Sequence, residues 1–237
     1  MNVLRLVIAS ANPHKAAEMS DVLNAELAGG RGGGSGGAIT VAPMPGDLPE
    51  VVEDGETLEE NARLKAHAVR TAVLGAGAGD ENNDAFVADD TGLFVDALDG
   101  APGVRTARYA GDDADDARNR RKLLDALAGA GAGTGAAQRG ARFATVVVLV
   151  LPDGAELVAE GSVEGSIAPA ERGAGGFGYD SLFVPDEGDG RTFAQMEPAE
   201  KHAVSHRGRA LRALAARLAP YLAAHQAGHG FRNERRR

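Results

Sequence analysis

Three segments of the sequence combine residue types and spacings suited to binding a phosphorylated ligand. The first is Ser10-Ala11-Asn12-Pro13-His14-Lys15, which follows the apolar run VLRLVIA at 3–9. Asn12 is a typical cap for a helix that begins at Pro13. Free backbone N–H groups and the positive end of the helix dipole gather there, and Lys15 lies in the first turn. The segment therefore predicts a phosphate site, although it lacks Walker A spacing and an Asn-Pro cap is also common without a ligand.

The second segment is Asp89-Asp90-Thr91-Gly92, directly after the apolar residues 85–88. Because side chains alternate along a strand, we expect one of the two carboxylates to be functional unless the strand has already ended. Carboxylate oxygens suit Mg²⁺, which takes one or two of them together with water and substrate phosphates. A second acidic stretch, EDGE, begins at Glu53. The competing interpretation of Asp-Asp-Thr-Gly is an ordinary polar turn.

The third segment is Gly175-Gly176-Phe177-Gly178-Tyr179-Asp180, followed by KHAVSHRG at 201–208. The chain has only seven Phe and three Tyr, so two aromatic residues separated by one glycine could form a platform on which a base stacks. Lys201, His206 and Arg207 near a predicted helix start could bind a phosphate or the edge of a base. The glycine-aromatic segment could equally be a turn that covers the core.

Lysine is rare in this chain, since it accounts for four of the 25 basic residues, at positions 15, 65, 122 and 201. Three of these, Lys15, Lys65 and Lys201, lie in or beside the motifs. A compact ammonium group follows a phosphate more freely than a planar guanidinium does. The distribution therefore favours phosphate binding over the alternative that the lysines lie there by chance.

Strands and helices are predicted to alternate in the first half of the chain, and a hairpin follows. The predicted elements are strands at 3–9, 39–42 and 85–88, helices at 13–27, 57–73 and from Asp113 or a neighbour to 127, a hairpin of 144–151 with 156–159, and a helix capped by Ser205. This order favours an α/β fold with a mixed sheet covered by helices. We predict one domain over 1–225, a Gly-rich surface loop at 29–37 and a disordered tail at 226–237.

The composition restricts the possible functions. An excess of 34 acidic over 25 basic residues gives a net charge of −9, which does not favour nucleic acid or anionic membranes as partners. Since the chain has no cysteine, disulfides, thiolate zinc sites and thiol nucleophiles are excluded. No apolar run approaches the roughly 20 residues of a membrane helix, and the first ten residues do not resemble a signal peptide. We therefore expect a cytoplasmic protein.

Taken together, the segments resemble the inosine/xanthosine triphosphate pyrophosphatase family, which hydrolyses aberrant purine nucleoside triphosphates to the monophosphate and pyrophosphate. The resemblance rests on SANPHK (10–15), ENARLKA (60–66), VADDTGLFVDALDGAPGVRTARYAG (87–111), GGFGYDSLF (175–183) and EKHAVSHRGRAL (200–211), in family order. The chain departs from the family at Thr91, where serine is usual, at Ser181, where proline is usual, and at Gln195, where glutamate is frequent.

The resemblance implies an elongated mixed sheet with flanking helices, two lobes around a nucleotide cleft, and a homodimer. It implies Mg²⁺ as cofactor, with Asp90 and Glu53 as its ligands, and it makes Asp90 and Lys65 the catalytic residues. Asp90 is also the family's proposed proton acceptor, so its role as metal ligand, general base or both stays open. The residues implied to contact the polyphosphate are 10–15 and Lys65, and those implied to contact the base are 177–180, His206 and Arg207, with Lys201 nearby. Thr91 is also implied to contact the substrate.

Two alternatives remain at this point. A related pyrophosphatase of similar architecture could remove modified pyrimidine or methylated nucleotides, and the base pocket would distinguish it. A non-catalytic nucleotide sensor would keep the base platform and lose hydrolysis. The presence of Lys15, Lys65 and Asp90 together argues against a sensor.

Overall fold

A computed structural model of the chain describes residues 3–28, 39–45, 51–75, 83–133, 135 and 138–233. The predicted surface loop at 29–37 lies outside the described residues. Within the described ranges, no helix combines the length and apolar character needed to cross a membrane.

The first half of the chain forms the elements that the sequence predicts. Strand β1 (Leu4–Ile8) leads into helix α1 (Pro13–Ala28), strand β2 (Ile39–Pro43) follows, and helix α2 (Leu58–Gly75) comes next. Asn12 caps α1, because its Oδ1 accepts hydrogen bonds from the N–H groups of His14 at 2.9 Å and Lys15 at 3.2 Å. A capping box starts α2, in which Thr57 and Glu60 each accept the other's backbone N–H at 3.1 Å.

The second half is a series of antiparallel strands with three helices. Its elements are β3 (Asp84–Val95), β4 (Pro102–Gly103), α3 (Asp116–Gly129), β5 (Gly140–Val150), β6 (Glu156–Ile167), β7 (Phe183–Pro185), α4 (Pro198–Val204) and α5 (His206–Asn233). The predicted hairpin around residues 152–154 is confirmed as β5 with β6. Ser205 caps α5, since its Oγ accepts the N–H of Gly208 at 3.1 Å.

The seven strands of the described residues belong to one mixed sheet. Its order is β2-β1-β3-β5-β6-β7, with the short β4 paired to the far end of β3. The pairs β1–β2 and β1–β3 are parallel, and β3–β5, β5–β6 and β6–β7 are antiparallel. The predicted α/β fold with a mixed sheet covered by helices is therefore confirmed.

Alternate residues of β3 face two different hydrophobic cores. Ala85 and Val87 pack with residues of α1 and α5 on one face of the sheet. Phe86 and Ala88 pack with residues of α2 on the other face. A third core surrounds the far end of β3 and includes Leu93, together with residues of α3. Helix α1, which carries Lys15, and helix α2, which carries Lys65, thus lie on opposite faces of the same strand.

Strand β3 is longer than the sequence predicts. We expected it to end near residue 88, yet it continues through the Asp-Asp-Thr-Gly segment to Val95. The reason is its unbroken antiparallel pairing with β5, from Phe86 opposite Val150 to Val95 opposite Ala141. The ladder hydrogen bonds outweigh the turn preference of these polar residues, so the interpretation as a polar turn is wrong.

The cap of α3 lies in the predicted place, at Asp113 or a neighbour. It is Asp115, whose Oδ1 accepts the N–H of Arg118 at 2.7 Å. One helix end differs from expectation. Helix α5 continues to Asn233, into the segment that we predicted to be a disordered tail. Residues 234–237 lie outside the described part of the chain.

Candidate active site

The candidate site lies where β1 ends and β3 continues. The last paired residue of β1 is Ile8, opposite Val87. In the described part of the chain, residues 88–92 of β3 have no strand on that side until β4 pairs with Leu93 and Phe94. Ligands of open α/β sheets bind at the carboxyl ends of parallel strands. Asp89 and Asp90 fall inside this opening, beside the start of α1.

The two aspartates contact different partners, as the alternation of side chains predicts. Asp89 lies on the face of α1 and α5, where its Oδ2 is 3.7 Å from Lys15 Nζ and accepts a hydrogen bond from Arg207 Nε at 3.1 Å. Asp90 lies on the face of α2, where Lys65 Nζ donates to its Oδ1 at 2.8 Å. Asn61 Nδ2 donates to the other oxygen of Asp90 at 3.3 Å.

The structure brings Glu53 to the same place as Asp90. Lys65 Nζ is 3.5 Å from Glu53 Oε2, so this ammonium group bridges the two carboxylates. Asn61 fixes the acidic stretch to α2, because its Oδ1 accepts the N–H of Gly55 at 2.9 Å. Arg108 donates to the backbone oxygen of Glu53 at 3.1 Å. The three predicted residues Glu53, Lys65 and Asp90 therefore form one cluster.

This cluster fits a Mg²⁺ ion that arrives with a polyphosphate. Within the described ranges, no three His, Cys, Asp or Glu side chains are grouped closely enough to form a complete protein cage for a metal. Mg²⁺ instead commonly binds one or two carboxylates and completes its shell with water and substrate phosphates. Glu53 and Asp90 supply such a pair, and the ammonium group of Lys65 is the countercharge that they share.

Burial and neighbouring charges shift the pKa values of Asp90 and Lys65. Burial raises the pKa of Asp90 above its ordinary value, and the nearby Lys65 and Lys15 offset this only in part. Burial alone would lower the pKa of Lys65, but Asp90, Asp89 and Glu53 outweigh it and raise that pKa. Lys65 therefore stays charged, and Asp90 accepts a proton more readily than an exposed aspartate does.

Asp89 has a different character from its neighbour. Its burial favours the neutral acid, but Lys15 and Arg207 outweigh that effect and hold the pKa of Asp89 far below its usual range. Its side chain is 1% exposed, whereas that of Lys15 is 20% exposed. Asp89 is thus a permanent buried anion that holds Lys15 and Arg207 in place beside the opening. Lys15 is the member of the 10–15 segment that reaches this anion.

On the base side, Phe177 is the aromatic residue at the opening. Its ring is half-buried, and its centroid lies 5.0 Å from Lys201 Nζ and 5.5 Å from Arg207 Cζ. The ring of His14 stacks against it at 5.6 Å, with an interplanar angle of 17°. Phe177 therefore lies between the cations of α4 and α5 and the predicted phosphate segment of α1.

Tyr179 does not share this platform. Its ring is buried in the core, and its hydroxyl donates to the backbone oxygen of Thr106 at 3.0 Å. The expected platform of two aromatic rings is therefore reduced to Phe177. A spacing of two residues does not place both rings on one side here, because the intervening Gly178 has a φ of +60° and turns the chain.

Glu18 is a site residue that our sequence interpretation missed. Its carboxylate pairs with Lys201 Nζ and with Arg207 Nη1, each at 2.5 Å. Lys201 also donates to Asp180 at 2.6 Å, so the base side is a chain of alternating charges. Glu18 lies three residues after Lys15, on the same face of α1, and this spacing was the available signal. Asn61 was also missed. It lies four residues before Lys65 on the same face of α2, so its helical spacing was again the available signal.

Thr91 and Ser10 hold supporting positions in the opening. The hydroxyl of Thr91 hydrogen-bonds to that of Thr145 at 2.7 Å, and Arg207 Nη2 donates to it at 3.3 Å. Ser10 Oγ donates to the backbone oxygen of Asn12 at 3.4 Å, within the turn that precedes α1. Thr91 therefore helps to hold the side chain of Arg207 next to Asp89, and Ser10 helps to hold the backbone of the turn before α1.

The side chain of His206 belongs to the core and does not line the opening. Its ring stacks on Phe143 at 4.5 Å and an interplanar angle of 18°, and the residue is 3% exposed. Among the described residues, no partner lies within hydrogen-bond distance of its Nδ1. The expectation that this side chain contacts the base is not met, and only its backbone N–H at the start of α5 stays available.

Acid should destabilise the fold through His206. Burial holds the pKa of His206 well below its usual value, and Arg207 and Lys201 act in the same direction, with Asp89 opposing. The unfolded state therefore binds a proton below about pH 6.5 that the folded state excludes, so the free energy of unfolding decreases as the pH falls below that value. The slope should approach about 1.4 kcal/mol per pH unit.

Urea unfolding between pH 5 and 8 measures this contribution. In His206→Phe, which keeps the stacking and cannot titrate, the slope of unfolding free energy against pH should be shallower by that amount. An identical slope in both proteins would assign the acid sensitivity to other groups.

Comparisons with a family model, with relatives of known name and with solved structures agree with one another. The model of the Ham1 family matches residues 6–217. A protein named dITP/XTP pyrophosphatase from Leuconostoc mesenteroides is 42% identical over 223 residues, covering 92% of this chain and 98% of that protein. A solved HAM1 protein from Coxiella burnetii is 36% identical with a TM-score of 0.72, covering 92% of this chain and 100% of the solved one. The solved dITP/XTP pyrophosphatase of Mycobacterium abscessus is 43% identical, with a TM-score of 0.60, 89% of this chain covered and 97% of that chain.

Proposed function

Because this chain belongs to the Ham1 family, we propose that it hydrolyses the deaminated purine nucleoside triphosphates ITP, dITP and XTP to the monophosphate and pyrophosphate. The observation that carries the proposal is the joint placement of a buried carboxylate, a phosphate-binding helix start and an aromatic ring at one opening of the sheet. Asp90 lies 2.8 Å from Lys65, the start of α1 adjoins them, and Phe177 borders the same opening.

The triphosphate binds between α1 and α2. The start of α1 offers free backbone N–H groups, and Lys15 and Lys65 add positive charge from two sides. Both lysines are held by carboxylates before substrate arrives, so little reorganisation is needed when the phosphates bind. Lys15 and Lys65 lie on opposite faces of β3. To reach both, the triphosphate group of the substrate must cross this strand beside Asp89 and Asp90.

Asp90 accepts the proton of the attacking water. Its position in the opening beside Lys65 suits this role, and the proton leaves as the water oxygen bonds to the α-phosphorus. The bond from the α-phosphorus to the oxygen that bridges to the β-phosphorus then breaks. The departing pyrophosphate takes the bonding electrons, and Lys15 and Lys65 stabilise its charge.

We propose Mg²⁺ as the cofactor, with Glu53 and Asp90 as its protein ligands. The ion would supply charge neutralisation on the triphosphate, which disperses the negative charge that develops on the leaving group.

The base stacks on Phe177, and its edge faces α4 and α5. Lys201, Arg207 and the first N–H groups of α5 are hydrogen-bond donors, as a keto-substituted purine requires. We further propose a homodimer, on the family resemblance, and the cytoplasm as its compartment, because the substrates belong to the cellular nucleotide pool.

A product assay tests the activity and its metal requirement together. Purified protein with Mg²⁺ should convert ITP to IMP and inorganic pyrophosphate in equal amounts, and excess EDTA should lower the rate at least tenfold because uncompensated phosphate charge opposes attack. Added Mg²⁺ should restore the rate. Formation of IDP and inorganic phosphate would contradict cleavage at the α-phosphorus, and full turnover in EDTA would contradict the metal requirement.

A further inference from the structure

The loop that presents Phe177 has little intrinsic rigidity. It contains glycine at positions 173, 175, 176 and 178, and three of these have positive φ angles of +83°, +70° and +60°. Glycine has more backbone freedom than any other residue, so a loop of this composition keeps one conformation only when other groups hold it. The position of the Phe177 ring therefore depends on contacts made by the loop backbone.

Helix α3 holds both polar groups of the residue next to Phe177. The N–H of Gly178 donates to Asp116 Oδ2 at 2.7 Å, and Arg120 Nη1 donates to the carbonyl oxygen of Gly178 at 2.8 Å. Asp116 and Arg120 are four residues apart, so they lie on one face of α3. Together they form a clamp, defined here as Asp116 and Arg120, that fixes Gly178 from both sides.

Further contacts join the clamp to its surroundings. Arg120 Nε is 2.9 Å from Glu171 Oε2 in an ion pair that lacks hydrogen-bond geometry, and Ser181 Oγ donates to the same oxygen at 3.1 Å. These two contacts join the clamp to both ends of the glycine loop. On the inner side of α3, Leu123 and Leu127 are completely buried in the third core, so the helix is a rigid base for the clamp.

We propose that Asp116 and Arg120 are positioning residues for the base, acting through Phe177. This inference rests on the proposed function of the site, in which Phe177 stacks on the purine. No contact in the described residues links the clamp to Lys15, Lys65 or Asp90, which bind the phosphates and carry out the chemistry. Loss of the clamp should therefore weaken recognition of the base and leave the chemical step intact.

Kinetics of Arg120→Ala separate these two effects. We expect the KM for ITP to rise about tenfold while kcat stays within about twofold, because binding energy on the base side is lost and the reacting groups keep their geometry. The inhibition constant of inorganic tripolyphosphate, which has no base, should stay unchanged. Asp116→Ala should act in the same way, and Asp116→Asn, which keeps an acceptor for the Gly178 N–H, should recover most of the affinity.

Arg121→Ala is the matched control, since Arg121 is the next residue on α3, carries the same charge and is exposed. It should change neither KM nor kcat. A second measurement does not depend on activity. Because the chain has no tryptophan, Phe177→Trp provides a single fluorescent reporter on the loop. Its anisotropy should fall when Arg120→Ala is added and stay constant when Arg121→Ala is added.

The possible outcomes distinguish this inference from the proposed function. An unchanged KM and an unchanged anisotropy in Arg120→Ala would overturn the clamp, even if the unmutated protein hydrolyses ITP. A parallel rise of the tripolyphosphate inhibition constant would also overturn it, because the loss would then extend to the phosphate side. If the unmutated protein fails to hydrolyse ITP, the proposed function fails, and a fall in anisotropy would still support the clamp itself.

Discussion

Asp90→Asn should lower kcat for ITP by at least about a hundredfold while the protein stays folded. Asparagine has nearly the same volume, but it cannot accept the proton of the attacking water, a contribution of about 10²–10⁴ in rate. It also removes one of the two carboxylates that suit Mg²⁺, and it leaves Lys65 paired only with Glu53 at 3.5 Å. Single-turnover hydrolysis at saturating ITP and Mg²⁺ measures the effect, with circular dichroism as the check on folding.

Asp89→Asn is the matched comparison, because it makes the same change one residue away on the opposite face of β3. Its main effect should be on stability. Asp89 shares the buried charge of Arg207 with Glu18, so its loss should cost less than the roughly 3–5 kcal/mol of leaving a buried charge without a partner. Its kcat should fall less than that of Asp90→Asn. Near-unchanged kcat in Asp90→Asn would remove Asp90 from the chemical step.

The sequence predicted the parts of the site that local rules govern. The Asn12 cap and the capping box at Thr57 depend on residues three or fewer positions apart, so the starts of α1 and α2 were predictable. Alternation along a strand also predicted that Asp89 and Asp90 face different partners. The lengths of β3, β5 and β6 were underestimated, because pairing between distant strands extends them beyond their local preferences.

The remaining parts depend on contacts between distant segments, which residue types alone do not reveal. Glu18 is an ordinary polar helix residue by sequence, and it becomes part of the site because α1 packs against α5 and meets Arg207. His206 and Tyr179 show the reverse case. Both have residue types suited to a nucleotide pocket, and the packing around Phe143 and Thr106 places their side chains in the core.

The same packing explains how the base side can be selective. Glu18 and Asp180 are the acceptors closest to Lys201, and both already accept hydrogen bonds from it. Glu18 also accepts from Arg207. The groups left to meet a ligand on this side are therefore mainly donors, namely unused N–H groups of Lys201 and Arg207 and the N–H groups at the start of α5. An acceptor on the purine would pair with them, and a donor would not.

ITP should accordingly exceed ATP in kcat/KM by about a hundredfold or more. Inosine has a keto oxygen at position 6, which is an acceptor, whereas adenosine has an amino group, which is a donor. Each donor buried against a donor costs roughly 1–3 kcal/mol, and two such groups are enough for this ratio, since about 1.4 kcal/mol corresponds to tenfold. Guanosine keeps the keto oxygen, so rejection of GTP must come from contacts around its 2-amino group. Competition between ITP and ATP in one reaction measures the ratio directly.

Arg207 should account for much of this preference. Arg207→Ala would also leave Asp89 and Glu18 as buried, poorly compensated anions, so the sharper variant is Arg207→Lys, which keeps the charge and loses the planar fork of donors. We expect it to lower the ratio of ITP to ATP by about tenfold, which corresponds to one lost donor, and to change the inhibition constant of tripolyphosphate much less. Arg209→Lys, the same substitution on α5 at a residue paired with Glu187, should leave the ratio unchanged. Equal kcat/KM for ITP and ATP in the unmutated protein would contradict a base pocket of donors, because every group that distinguishes the two purines lies on this side of the opening.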